Sequence, residues 1–365
     1  MYSKDAHNIR ALVVAINASY HAGMQKRPFT TILFALAIVL LLAWLINNPA
    51  TENEEVISGT TMGTTYSIHV SDCATIDCEP LTSLVQNRLI QLEQRLSHYD
   101  QESELSAFNN YHGDDWFAVS ADLQAVVAHA LELSKASNGA FDITVAPAVN
   151  AWGFGPQLTS ASPDEQTINE TLASIGFNKL STRANPPALR KTTATVTLNL
   201  SALAKGYAVD QLALMLEAQG ATNYLVEIGG EVRTAGLNAA GQVWRIGIEP
   251  PDGGLDIEFI VAPGDEAVAT SGDYRNFFID EGKRYSHTID PASAKPVDNQ
   301  LASISVIAPS AMQADALATL FMVLGAEASY AKAQTDNIPV LIISRDKDGI
   351  STLSSDALQR YLLEK

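Results

Sequence analysis

Asp315 and Thr319 stand four residues apart in the segment 310–319, SAMQADALAT, so on a helix they share one face. A carboxylate and a hydroxyl, with carbonyls and water, form a hard all-oxygen set that suits Mg2+. Their neighbours are mostly alanine and leucine, so these two polar groups should face something specific. The alternative is an aspartate near a helix start, favoured there by the dipole. Lys205 poses the complementary case. It lies in 200–210, LSALAKGYAVD, where a strand passes into a helix. Free N–H groups at a helix start favour anions, and a lysine in the first turn opposes the dipole. A bound phosphate would correct that; a lysine reaching out to solvent would need no ligand.

A further set of side chains can do chemistry. His287, in YSHTIDP (285–291), is a candidate general base, or a structural histidine. Residues 140–147, AFDITVAP, followed by WGFG (152–155), combine the flat surfaces of Phe141, Trp152 and Phe154 with the polar tips of Asp142 and Thr144. That mixture suits a heteroaromatic ligand, or a core with a capping aspartate. TSGDYR (270–275) ends in Arg275. GTTMGTTY (59–66) offers glycines that either let backbone approach a ligand or turn the chain into a strand. The chain lacks a Walker A loop, a GxGxxG fingerprint, HExxH, GxSxG and a complete calcium loop, which excludes the commonest nucleotide, zinc and acyl-transfer designs. DKDG (346–349) reads as a solvated turn.

The elements that must hold these groups are mixed. Leu81, Leu84, Val85, Leu89, Leu92 and Leu96 mark one helical face. Further helices are predicted over 122–137, 204–219 and 311–324. Another starts at Ser162-Pro163-Asp164-Glu165, which has the shape of a capping box, and ends at Gly176. Strands are predicted over 64–70, 195–200, 224–228, 243–249, 257–262, 274–279, 284–289, 303–308 and 339–344, with Glu281-Gly282 turning a hairpin. Several strands follow one another without a helix between them, which favours α+β with antiparallel sheet over a doubly wound parallel sheet.

The 365 residues carry a formal net charge of −18, which argues against a nucleic-acid-binding surface. An anionic substrate must be received locally, by a metal or a lysine. Residues 29–46, FTTILFALAIVLLLAWLI, contain no charged group and approach the length that spans a bilayer. Lys4, Arg10, Lys26 and Arg27 precede them and Glu52, Glu54 and Glu55 follow, so the positive-inside rule leaves the N-terminus in the cytoplasm. A cleaved signal peptide is the alternative. The resulting organisation is a cytoplasmic segment (1–28), a transmembrane helix (29–46), a linker (47–55) and one catalytic domain (56–365). Cys73 and Cys78, both on the exported side, are expected to form a small-loop disulfide.

Taken in order, GTTMGTTY, SHYDQESELSAFN, GAFDITVAPAVNAWGFG, LSALAKGYAVD, YLVEIGGEV, ATSGDYRNF, YSHTIDP and ADALATLFMVLG resemble the ApbE family of FAD:protein FMN transferases over most of 59–325. The resemblance implies a T-fold-like α+β domain that moves FMN from FAD onto a threonine hydroxyl of another protein, releases AMP and depends on Mg2+. It implies a bacterial inner-membrane protein whose catalytic domain lies in the periplasm. It suggests acceptors among subunits of sodium-pumping NADH:quinone oxidoreductases and Rnf-type complexes. Met62, Tyr99, Ala140, Phe141, Asp142, Lys205 and Ile289 match the family's FAD-contacting positions. Ala202 and Ala318, through their carbonyls, and Asp315 and Thr319 match its metal positions. His287 and Arg275 match its conserved polar motifs, with Asp142 as a second candidate for the base. Asn199 stands where the family commonly has an aspartate, which removes a charge and adds a donor. The alternatives are an FAD pyrophosphatase, with water replacing threonine, and a non-catalytic flavin-binding protein.

Overall fold

The computed structural model describes residues 54–156, 162–251, 259–274, 276–280, 282–346 and 349–363. The chain divides into two units, Met1–Glu52 and Asn53–Lys365, and the second holds every described residue. The predicted span 29–46 and Arg275 lie outside the described residues. Among the described residues no helix is long and apolar enough to cross a membrane.

Eight antiparallel strands form the main sheet in their order along the chain: β1 (Glu55–Thr61), β2 (Thr64–Val70), β3 (Tyr224–Ile228), β4 (Glu231–Ala235), β5 (Ala267–Gly272), β6 (Leu301–Ala308), β7 (Val340–Asp346) and β8 (Gly349–Ser354). Two tight turns shape one side of it. Met62-Gly63 joins β1 to β2 at φ 50° and 75°, and Gly229-Gly230 joins β3 to β4 at φ 61° and 103°. Left-handed φ at both central positions matches the twist of the flanking strands. Gly59 faces Tyr66 across the β1–β2 ladder, and a Cβ there would lie 2.8 Å from the ring. That glycine therefore makes room for a buried tyrosine.

The long excursion between β2 and β3 supplies α1 (Leu81–Leu96), α2 (Glu104–Asn109), α3 (Ala121–Ala136), α4 (Ala146–Ala151), α5 (Glu165–Ser174) and α6 (Ala204–Ala218). Between β6 and β7 come α7 (Ala311–Leu324) and α8 (Ala326–Thr335). The predicted apolar face of α1 is realised: Leu81, Val85, Leu89, Leu92 and Leu96 are all buried. The main core lies between the helices and one sheet face. On the other face Val268, Ile307, Leu341 and Ile343 pack with Ile248 and Val261 from a small three-stranded sheet. β6 is buried at all eight positions, Ser303 and Ser305 included, because it is covered on both faces. Cys73 and Cys78 are disulfide-bonded, as expected. The architecture is the α+β arrangement with a large antiparallel sheet that the strand succession predicted.

Three local expectations change. Residues 195–200 form no strand. Val196, Leu198 and Leu200 are fully buried in alternation, but side chains rather than a neighbouring strand take the backbone of Leu198 and the carbonyl of Val196. Asn109 takes both the N–H and the carbonyl of Leu198, at 2.7 and 2.9 Å, and Lys191 Nζ donates to the Val196 carbonyl at 3.0 Å. Alternation showed an extended chain but could not show what would pair with it. The helix expected from Ser162 begins at Glu165, because the Asp164 carboxylate caps it by accepting from Thr167 N–H at 2.8 Å. The strands β1, β4, β5 and β8 were not predicted, since each is short or interrupted by charge, glycine or hydroxyl residues.

One buried carboxylate ties the helical layer together. Asp122 of α3 accepts two hydrogen bonds from Arg88 at 2.9 and 2.8 Å, one from Arg95, and one from Tyr207 Oη of α6 at 2.6 Å. Burial alone would raise its pKa, but the bonds from Arg88, Tyr207 and Arg95 outweigh that and hold it at about 2. Asp122→Ala should cost about 3–5 kcal/mol of unfolding free energy at neutral pH, because two guanidinium groups lose their partner. The depressed pKa sets the sign of the pH dependence. The carboxylate's contribution is complete above its ordinary value of 3.8 and fades as pH falls toward 2. Denaturant melts should therefore separate wild type from variant less in strong acid than near neutrality.

Candidate active site

The N-termini of α6 and α7 meet at the floor of the site. Gly206 approaches α7 so closely that a Cβ would lie 2.3 Å from the Ala311 carbonyl oxygen. Only glycine permits this contact without moving a helix. Asp210, one turn further along α6, accepts from the N–H groups of Ala311 and Met312 at 2.9 Å each. It thereby caps α7 from the neighbouring helix while also binding Arg233 of β4 at 3.0 Å. The junction presents Asp315 to the first turn of α6, and Asp315 Oδ2 accepts from Gly206 N–H at 3.2 Å. In a regular helix that N–H would bond the carbonyl four residues back, that of Ala202. Because it turns to Asp315, the Ala202 carbonyl is not taken by it. Thr319, one turn beyond Asp315, places its hydroxyl 3.5 Å from that of Ser271 at the end of β5.

Lys205 extends from the same first turn, and its Nζ lies 3.3 Å from Oε1 of Glu231, the first residue of β4. Glu231 and Asp315 are both only 3% exposed. Burial raises the pKa of each, while Lys205 pulls both down, and Asp315 adds to the rise at Glu231. Glu231 Oε2 is buried without a hydrogen-bond partner among the described residues.

The opposite wall comes from the loop after α3. Asp142 caps the short turn Ile143–Val145. Its Oδ1 accepts from the N–H and hydroxyl of Thr144 at 2.8 and 2.7 Å, and its Oδ2 from Phe177 N–H at 2.6 Å. Both oxygens are thus committed, so Asp142 holds the loop and is poorly placed to serve as the base. Asn199 is fixed similarly: its N–H bonds the Ile143 carbonyl and its side-chain oxygen accepts from Ser201 N–H, both at 2.8 Å. Tyr99, 57% exposed, stands at the mouth with its hydroxyl donating to the Phe154 carbonyl at 3.3 Å.

His287 follows the hairpin Phe277–Asp280 and Lys283–Ser286. Its backbone N–H and its Nδ1 both lie 3.1 Å from the Asn276 carbonyl oxygen. A carbonyl can only accept, so Nδ1 carries the proton and Nε2 keeps its lone pair. Burial, and secondarily the Lys205 charge, lower the pKa of the ring below the usual 6.5 despite the Asn276 bond. The imidazole is neutral near pH 7 and available as a base.

These residues enclose a cavity of about 280 Å³. Of the positions singled out in the sequence, Tyr99, Ala140, Phe141, Asp142, Asn199, Ala202, Lys205, His287, Ile289, Asp315 and Thr319 all line it. Met62 does not. It occupies the β1–β2 turn, packed on the main core, with its N–H on Glu93 Oε1. Ala318 is also absent from the walls; within an unbroken helix its carbonyl is taken by the N–H four residues on. Sequence reading overlooked Glu231 and Ser271. The charge that opens a strand right after Gly-Gly was the available signal for the first; a serine in a short strand gave none.

The oxygen groups fit a hard divalent cation. Among the described residues no cluster of three or more His, Cys, Asp or Glu side chains forms a metal site. What the cavity offers is the buried Asp315 carboxylate, the Thr319 hydroxyl and the Ala202 carbonyl, with no sulfur. Such a set suits Mg2+ bound with water and substrate oxygens better than Zn2+.

An antiparallel α+β scaffold that sets buried carboxylates and an ammonium opposite a neutral histidine has the equipment of an enzyme acting on a phosphate-bearing ligand. The chain matches the ApbE family model over residues 62–342, and it belongs to that family. The FAD:protein FMN transferase of Vibrio cholerae is 42% identical over 334 residues, spanning 90% of this chain and 98% of the relative. That of Haemophilus influenzae is 39% identical over 312 residues, spanning 83% and 90%. The solved structure of the flavin transferase ApbE from Vibrio cholerae has a TM-score of 0.79 at 41% identity and covers 85% of this chain and 99% of that one.

Proposed function

We infer that the chain is an FAD:protein FMN transferase, and we propose that it moves FMN to a threonine hydroxyl of an acceptor protein and releases AMP. The observation that carries this reading is the convergence of Lys205, Asp315, Thr319 and His287 on one cavity from three separate sequence motifs. Tyr99 and Phe141 offer ring surfaces for a flavin or adenine. Lys205 meets the diphosphate and counters its charge. Asp315, Thr319 and the Ala202 carbonyl would hold Mg2+, which when bound would neutralise phosphate charge. His287 Nε2 takes the proton of the entering hydroxyl, whose oxygen bonds to the FMN-side phosphorus as the bond to the AMP phosphate breaks.

An anchor over 29–46 would hold the domain on the periplasmic side of a bacterial inner membrane. The Cys73–Cys78 disulfide supports an oxidising compartment. Covalent-flavin subunits of sodium-pumping NADH:quinone oxidoreductases and Rnf-type complexes are the acceptors proposed. The test is mass spectrometry of such a subunit after incubation with enzyme, FAD and Mg2+. FMN linked to threonine is the expected product. Free FMN with an unmodified acceptor would make the chain a pyrophosphatase, and intact FAD would make it a binding protein.

A further inference from the structure

Glu231 has no part in the ligand set just described, yet it is the most unusual charge in the cavity. It is 3% exposed and opens β4 directly after the Gly229-Gly230 turn. Oε1 is held by Lys205 Nζ at 3.3 Å. The residue lines the cavity, and its Oε2 is buried with no donor among the described residues. A buried carboxylate oxygen without a donor is destabilising. Such groups persist where a ligand or ion completes them. The nearby groups do not complete it: Asp315 is itself an anion, and Lys205 already serves Oε1.

We propose that Glu231 supplies a second negative charge to the divalent-cation site, with Oε2 facing the cation or a water bound to it and Oε1 retaining Lys205. This rests on the cation reading under the proposed function. It accounts for two observations together. Asp315, Thr319 and the Ala202 carbonyl provide few of the six oxygen positions that Mg2+ fills, so water must complete the shell. Water bound to a cation is a strong donor, which is the partner the unpaired oxygen lacks. The competing account is that Glu231 only orients Lys205.

Glu231→Gln separates the two, because it keeps a carbonyl oxygen for Lys205 and the same volume while removing the charge. Mg2+ is titrated calorimetrically into the FAD-loaded enzyme, and FAD binding is measured separately in EDTA. The expected result is cation binding weakened at least tenfold, with metal-free FAD binding unchanged or tighter, since one anion opposite the diphosphate is gone. Unchanged Mg2+ affinity overturns the proposal, as does an equal loss of Mg2+ and metal-free FAD affinity, which is the signature of a displaced Lys205. Lys205→Met provides that signature for comparison. A wild-type FAD complex that binds no Mg2+ would overturn the cation reading itself, whereas normal wild-type binding with an unaffected E231Q variant sinks only the role of Glu231. Thermal melts of both variants establish that the titrated protein is folded.

Discussion

Asp315→Ala should abolish FMN transfer while leaving the domain folded. The carboxylate is 3% exposed, and burial raises its pKa against the pull of Lys205 and Gly206 N–H. It is therefore a group the fold holds at a cost. Removing a cation ligand worth about 4 kcal/mol at the transition state would slow transfer about a thousandfold. The same change relieves a buried anion, so the melting temperature should hold or rise. Gly206 N–H then loses an acceptor, but the Ala202 carbonyl stands four residues back as its regular helical partner. The measurement is FMN transfer to acceptor across a Mg2+ titration, alongside a thermal melt. Wild-type activity at low Mg2+ would remove Asp315 from the cation site. Loss of activity together with a collapsed melt would instead make it a structural residue.

His287→Ala should lower the transfer rate by about 10²–10⁴, the range for losing a general base, with FAD affinity nearly unchanged. The ring is fixed by the Asn276 carbonyl, which receives both its Nδ1–H and its backbone N–H. Nε2 is the remaining nitrogen, and the residue lines the cavity. Its lowered pKa gives the pH dependence a definite sign. Transfer by the wild type needs the neutral ring, so the rate should stay level down through the usual histidine value of 6.5 and fall only below it. The variant should lose that acid limb. Single-turnover rates across pH, with FAD binding measured separately, make the distinction. Equal losses in rate and FAD affinity would demote His287 to a binding residue.

The pairing of Asp315 with Thr319 was legible because helical spacing is a local property: residues four apart share a face wherever the helix goes. The oddity of Lys205 in a first turn was legible for the same reason. Asp142 shows the opposite limit. Its composition allowed a base, but three donors from Thr144 and Phe177 consume both oxygens, and Phe177 lies 35 residues away. Met62 carried the family pattern yet sits in a tight turn off the cavity wall. Glu231 stayed hidden because a charge after Gly-Gly marks an unusual strand start but does not say that a lysine from another element will take one of its oxygens and leave the other bare.

The sequence by itself determined the antiparallel α+β class, the apolar faces of the helices, the Cys73–Cys78 pair and about half of the residues that line the cavity. Each follows from periodicity, short spacing or ordered motifs. Tertiary structure alone decided which polar groups remain available. Gly206 lets α6 touch α7 and turns its N–H to Asp315, Asp210 caps the neighbouring helix, and Asn109 replaces a strand partner for Leu198. The physical reason is that hydrogen-bond capacity is finite and is allocated by contacts between residues far apart in the chain, which local pattern does not encode.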